Sequence, residues 1–87
     1  MLHFHQYKLL GMYYRVECSI CVSQFRVCTY KRLLCMKCGK VKDIKIHSTL
    51  TGDRDSTKSY MDSLTKNNIL NFIEMDSKTI KEIANQL

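Results

Sequence analysis

The chain has 87 residues, five cysteines and a formal net charge of +6, which allows one small domain and excludes a large multi-domain enzyme. No apolar run reaches the roughly 18 residues of a membrane-spanning helix, and the first eleven residues, interrupted by His3, His5 and Lys8, do not form a secretory core. A cytoplasmic, reducing compartment is expected, where clustered cysteines serve metals more often than disulfides.

Residues 1–11 read as a flexible N-terminal extension. Two readings stay open for His3 and His5: tail residues, or metal contacts, since they alternate along an extended segment. Met12, Tyr14 and Val16 alternate with Tyr13, Arg15 and Glu17, a period-two pattern that predicts a strand. The next strand is predicted over 23–30, with Phe25 and Val27 on one face and Arg26 and Cys28 on the other. Cys28 is read as a small buried apolar residue. Lys31-Arg32 is expected to turn the chain, so that Leu33-Leu34 lead back. A further strand is expected over 40–50, Ile44 and Ile46 facing one way and Asp43, Lys45 and His47 the other. Thr51-Gly52-Asp53-Arg54-Asp55-Ser56 carries the best turn signals and divides a region 12–52 from a helical segment 53–87. There a first helix is expected from an Asp55 or Ser56 cap through Tyr60, Met61 and Leu64, broken near Asn67-Asn68. Ile69, Leu70, Phe72 and Ile73 resume as a helical or short extended segment. A last helix follows, capped by Asp76, Ser77 or Thr79, the last opening a capping box with Glu82. Ile80, Ile83, Ala84 and Leu87 then recur as an apolar stripe.

Cys18-Ser19-Ile20-Cys21 and Cys35-Met36-Lys37-Cys38-Gly39 are two C-x-x-C pairs separated by thirteen residues. Such a pair aims two thiolates at one point. Zinc(II) takes four ligands tetrahedrally, with sulfur at about 2.3 Å, and two pairs close the site. Cys18, Cys21, Cys35 and Cys38 are therefore the expected ligands of one structural Zn2+. Gly39 suits the turn because glycine tolerates positive φ. Disulfides, a redox dithiol and an iron site use the same residue type and stay open on that ground alone. A closed thiolate shell offers no Lewis-acid position. Asp53, Asp55 and Asp62 are scattered, and His3, His5 and His47 have no motif around them, so a non-enzymatic protein is expected.

Strand, first cysteine pair, hairpin, second pair and strand together resemble a zinc ribbon over residues 12–50. The resemblance implies a small α+β fold: an antiparallel sheet of three to four strands clamped by one zinc, followed here by two to three short helices. Zinc ribbons act in transcription, translation and DNA transactions through DNA, RNA or protein contacts. The thirteen-residue interval is compact for the family, which argues against a long base-contacting hairpin tip. The stretch Thr79-Ile80-Lys81-Glu82-Ile83-Ala84-Asn85-Gln86-Leu87 is similar to the first helix of bacterial helix-turn-helix motifs, whose recognition helix is not in this sequence. A ribbon followed by such helices is similar to the N-terminal region of insertion-sequence transposases and small phage regulators.

Charge divides with the cysteines: residues 1–52 carry +7 and residues 53–87 carry −1. Four thiolates on one zinc leave a formal charge of about −2, which some of the cations offset. The others form a basic surface expected to meet nucleic acid, DNA or RNA, at its phosphates. Arg26, Lys31, Arg32, Lys37, Lys40, Lys42 and Lys45 are the candidates. Tyr13, Tyr14 and Tyr30 either stack on unpaired bases or pack within the sheet. The expected function is a transcriptional or phage-type regulator, monomer or homodimer. The alternative is a protein-interaction module, an inhibitor or adaptor docking on a larger machine such as RNA polymerase or a nuclease through Ile80, Ile83 and Leu87.

Overall fold

Alternating aromatic and β-branched side chains draw three long strands from the first half of the chain. In the computed structural model, which describes residues 6–18 and 24–86, they are β1 (Tyr7–Cys18), β2 (Phe25–Cys35) and β3 (Val41–Thr51). Helix α1 (Arg54–Lys66), a short β4 (Ile69–Asn71) and helix α2 (Phe72–Gln86) follow. The sheet order is β3-β2-β1-β4. β2 is antiparallel to both its neighbours, whereas β4 runs parallel to β1, with Met12 beside Ile69. The small α+β class is as expected, but the sheet is mixed rather than purely antiparallel. A parallel partner needs a crossover connection, and α1 lies in the one between β3 and β4.

Two expected boundaries differ. β1 begins at Tyr7, so residues 7–11, expected within a flexible extension, pair with residues 32–35 of β2. Lys31-Arg32 makes no turn; β2 runs straight through it. Neither residue is of a turn-forming type, and both neighbouring strands supply ladder partners there: Met12 and Ile44 for Lys31, Gly11 and Asp43 for Arg32.

β2 is regular, so its odd and even residues face opposite sides of the sheet. α1 covers the odd side. Its Thr57 Oγ1 lies 2.6 Å from Thr51 Oγ1 and its Tyr60 hydroxyl 3.4 Å from Thr49 Oγ1, and Thr49 and Thr51 pair with Val27 and Phe25. α2 covers the even side. Arg32 Nη1 donates to Thr79 Oγ1 at 3.1 Å. Tyr13 stacks on Tyr30 at 5.1 Å and meets the Phe72 ring at 5.6 Å. Val27 on one side and Met75 on the other are fully buried, so each face has its own small core. α2 comes close to the sheet at a β1 bulge between Leu9 and Gly11. Gly11 has φ +150°, and a Cβ there would stand 2.8 Å from Met75 Cε, so glycine is what admits the helix.

The helices start where side-chain acceptors meet orphan amides. Asp53, just ahead of the expected Asp55 or Ser56, caps α1 by accepting from the Ser56 N–H at 2.6 Å. α1 ends at Asn67-Asn68 as expected, Asn68 adopting φ 64°. For α2, the Asn71 side chain accepts from the Glu74 N–H at 2.8 Å. The expected caps Asp76, Ser77 and Thr79 therefore lie inside a helix that began at Phe72. Thr79 is satisfied there because its hydroxyl donates to the Met75 carbonyl at 3.0 Å and accepts from Arg32. Met75 and Thr79 form the buried stripe, so Ile80 is turned outward and is 62% exposed. Among the described residues, no helix is long and apolar enough to cross a membrane.

Candidate functional site

The second cysteine pair sits on a tight turn after β2. The Gly39 N–H donates to the Cys35 carbonyl at 2.9 Å, and the Cys35 N–H donates to the Lys40 carbonyl at 2.9 Å. Gly39 has φ +72°, the left-handed conformation expected of it. The Met36 N–H reaches back to the Gln6 carbonyl at 2.8 Å, tying the turn to the approach of β1. Cys35 is buried and Cys38 exposed.

Cys18, from the first pair, is elsewhere. Cys18 pairs with Phe25 and Cys35 with Tyr7, so Cys18 and Cys35 lie at opposite ends of the β1–β2 hairpin. The ten residues from Phe25 to Cys35 correspond to roughly 33 Å at strand rise. A tetrahedral site requires sulfurs within about 4 Å of one another. Cys18 therefore stands apart from Cys35 and Cys38 in this geometry. The physical cause is the missing turn at Lys31-Arg32: a continuous β2 carries Cys18 and Cys35 apart. Cys21, His3, His5 and Leu87 lie outside the described residues. Among the described residues no group of three or more potential ligands is gathered. Cys28, fully buried on β2, places its Sγ 3.8 Å from Ser48 Oγ.

The candidate phosphate contacts separate by face. Lys31 and Lys42 project on the α1 side of the sheet, and Lys37 and Lys40 lie on or beside the cysteine turn. Arg26 and Lys45 project on the α2 side. A β3 bulge at Ile46, opposite the step from Thr29 to Tyr30, changes the expected facing: His47 joins Ile44 on the α1 side, while Lys45 stays with Asp43 on the other. Arg32 is turned inward and only 5% exposed. Its Nε and Nη2 hold Asp43 bidentately at 2.8 and 2.9 Å, Asp76 lies at 3.4 Å, and the guanidinium lies 4.9 Å from the Tyr13 ring centre. Arg32 is thus a core residue rather than a surface contact.

The electrostatics follow from this cluster. The Arg32 guanidinium holds the Asp43 carboxyl below the usual range, with help from the Tyr13 hydroxyl. Burial pushes Tyr13 up, as does the neighbouring Asp43. Tyr13 and Tyr30 are engaged with each other, so neither offers a free ring for a base.

α1 is about 20 Å long, which spans roughly six strand residues. Starting beside Phe25, it reaches the level of Lys31. α1 therefore stops short of the last rows of this side. There Tyr7 is 39% and Leu9 55% exposed, beside Leu33 and Lys42, and the Lys42 ammonium lies 5.7 Å from the Tyr7 ring centre. Tyr7 lies in the segment expected to be a flexible extension, although it belongs to β1. Its i, i+2 relation to Leu9, a period-two apolar pair, was the signal. On α2, Ile73 and Ile80 are both exposed and stand two turns apart, on one outward side; Ile83 is half-buried.

In comparisons with known proteins, no family model matches the chain, and neither a curated protein nor a solved structure matches it significantly.

Proposed function

We propose that the protein is a non-enzymatic nucleic-acid-binding module, of the kind that serves as a small transcriptional or phage-type regulator, and that it binds a single strand on the α1 side of the sheet, at the end that α1 does not reach. One observation carries this reading: strand alternation sorts the charges of the sheet. Glu17 and Asp43, the only acids among residues 1–52, both face α2, since their partners Arg26 and Arg32 are even residues of β2. The strand residues of the α1 side therefore carry Lys31 and Lys42 and no acid among the described residues. Lys37 and Lys40 extend the positive rim around Tyr7 and Leu9. Partly exposed apolar surface bordered by lysines suits a single strand, its bases on the surface and its phosphates at the rim, whereas an isolated duplex groove contact would need a protruding element.

The test is a binding titration with single-stranded RNA, single-stranded DNA and duplex at two salt concentrations. Four lysine contacts on a single strand predict a log–log salt slope of about −2.8, and Lys40→Glu with Lys42→Glu should reduce it by about half. Tyr7→Ala should cost about 1–3 kcal/mol of stacking. Weak, salt-insensitive binding by the folded protein would sink the reading.

A second reading rests on Ile73 and Ile80. Two exposed isoleucines on one side of α2 suit a protein partner that receives a helix face. Ile73→Asp with Ile80→Asp would abolish activity while leaving nucleic-acid affinity unchanged if that face is the one that matters.

A further inference from the structure

The two most exposed large apolar side chains among the described residues stand on one helix: Ile73, 75% exposed, and Ile80, 62%. Single exposed isoleucines are ordinary on a surface, but these two belong to a stripe. At about 100° per residue, Ile73, Ser77, Ile80 and Ala84 fall within roughly 60° of one another around α2. All four are exposed. The stripe lies roughly opposite Met75 and Thr79, which pack on the sheet against Gly11 and Arg32. α2 thus presents a second side that the sheet does not use. The positions 73, 77, 80 and 84 step by four and three, the alternation of a coiled-coil seam.

Charge decides what fits this seam. Glu74 and Lys81 flank the stripe on the same edge, two turns apart, and both are exposed. Among the described residues neither is joined in an ion pair. On the other edge Asp76 already lies 3.4 Å from Arg32, and Ile83 is half-buried. A second α2 laid end for end closes the layers: Ile73 meets the partner's Ala84, and Ser77 meets the partner's Ile80, a large side chain against a small one each time. In that register Glu74 stands across from the partner's Lys81, and two-fold symmetry repeats the pair. A parallel arrangement would set glutamate on glutamate and lysine on lysine. The face is therefore complementary to itself in one orientation.

We infer that α2 is the seam of a two-fold, antiparallel homodimer, closed by Ile73 and Ile80 and by two Glu74–Lys81 pairs. The inference rests on the helix-face reading above and names its occupant, a second copy of this chain. α2 is about 22 Å long, so the seam buries less than about 1,200 Å² and the dimer belongs to the class that dissociates readily.

Sedimentation equilibrium of the reduced full chain, from about 1 µM to about 1 mM, reads the association. The expected mass rises from that of one chain, 10.2 kDa, toward that of two and no further, since a two-fold seam closes on itself. Ile73→Asp with Ile80→Asp should stay monomeric across that range with an unchanged circular dichroism spectrum. Glu74→Lys and Lys81→Glu, taken singly, each turn two attractions into two repulsions and should weaken association about tenfold, less at high salt. Mixed one to one, these two variants should associate again, because every lysine of the seam then faces a glutamate, a recovery that misfolding cannot imitate. The inference is overturned by a chain that stays monomeric across the range, by a dimer indifferent to the isoleucine change, or by a mixture that associates no better than its parts. The helix-face reading is judged separately: a monomeric chain whose activity the isoleucine change abolishes has a different protein on that face, and one whose activity survives the change loses both readings.

Discussion

Asp43→Ala is the substitution whose cost the structure specifies best. It removes both acceptors of the bidentate pair, at 2.8 and 2.9 Å, and leaves the Arg32 side chain, 6% exposed, with Thr79 at 3.1 Å and Asp76 at 3.4 Å. Breaking a buried pair on one side costs about 3–5 kcal/mol, because a charge stays behind without its counterion. Asp43 is itself 31% exposed, and Asp76 retains part of the compensation, so the lower end applies: about 3 kcal/mol. An 87-residue domain has a total stability of only about 4–13 kcal/mol, so this is a large fraction. At about 4–8 °C per kcal/mol for a domain of this size, Tm should fall by roughly 12–24 °C. The opposite truncation, Arg32→Met, removes the charge itself and leaves a carboxylate that water can reach. It should cost less, about 1–2 kcal/mol. Urea denaturation of both variants, followed by circular dichroism, measures the two values. A cost below about 0.5 kcal/mol for Asp43→Ala, or a larger cost for Arg32→Met, would refute the reasoning.

The same pair gives stability an acid limb. Asp43 has a depressed folded-state pKa, so its contribution is complete above the unfolded value of about 3.9 and is lost as pH falls through the folded value. Denaturation midpoints taken from about pH 5 downward should show this, and Asp43→Asn should flatten it. Tyr13 has a raised pKa, so its contribution is complete below about 10 and is lost as pH rises through the folded value; Tyr13→Phe should remove that alkaline limb. Gly11→Ala puts a Cβ 2.8 Å from Met75 Cε on a backbone at φ +150°. Since Met75 is fully buried and has little room to yield, a loss of about 1–3 kcal/mol is expected. A melting temperature equal to the parent's would show that the bulge opens without cost.

Much of the second half was legible because its signals are local. Gly52-Asp53 marks a boundary, Asn67-Asn68 stops a helix, and the α1 cap falls just before the two residues expected for it. The errors come from contacts distant in sequence. Lys31-Arg32 looked like a turn because two adjacent cations suggest solvent. Arg32 instead sits mid-strand, because Asp43, eleven residues on, and Asp76, forty-four on, neutralise it. A turn there would have returned Cys35 toward Cys18, whereas the continuous β2 holds the two at opposite ends of the hairpin. The facing of His47 differs from the expectation for a similar reason, while that of Lys45 agrees: one bulged residue, Ile46, reverses an alternation that the sequence pattern alone carries on unbroken. Thr79 reads as a cap in sequence, yet its hydroxyl is occupied within the helix by Met75 and from outside by Arg32.

A sheet drawn out to a molecule 48 Å long has two margins, β3 and β4, of the kind at which another chain's strand adds. One margin, β4, is three residues long, too short to template much. The other, β3, is eleven residues long and borders solvent. Its bulge at Ile46 interrupts the run of outward amides and carbonyls, and the exposed Lys42, Asp43 and Lys45 crowd one stretch of it with charge. Breaks and charges of this kind are how sheet proteins discourage edge-to-edge polymerisation. The bulge that confounds the reading of facing is therefore also a safeguard of solubility. Deleting Ile46 would straighten the margin into a continuous template, and fibrillar self-association would be the consequence.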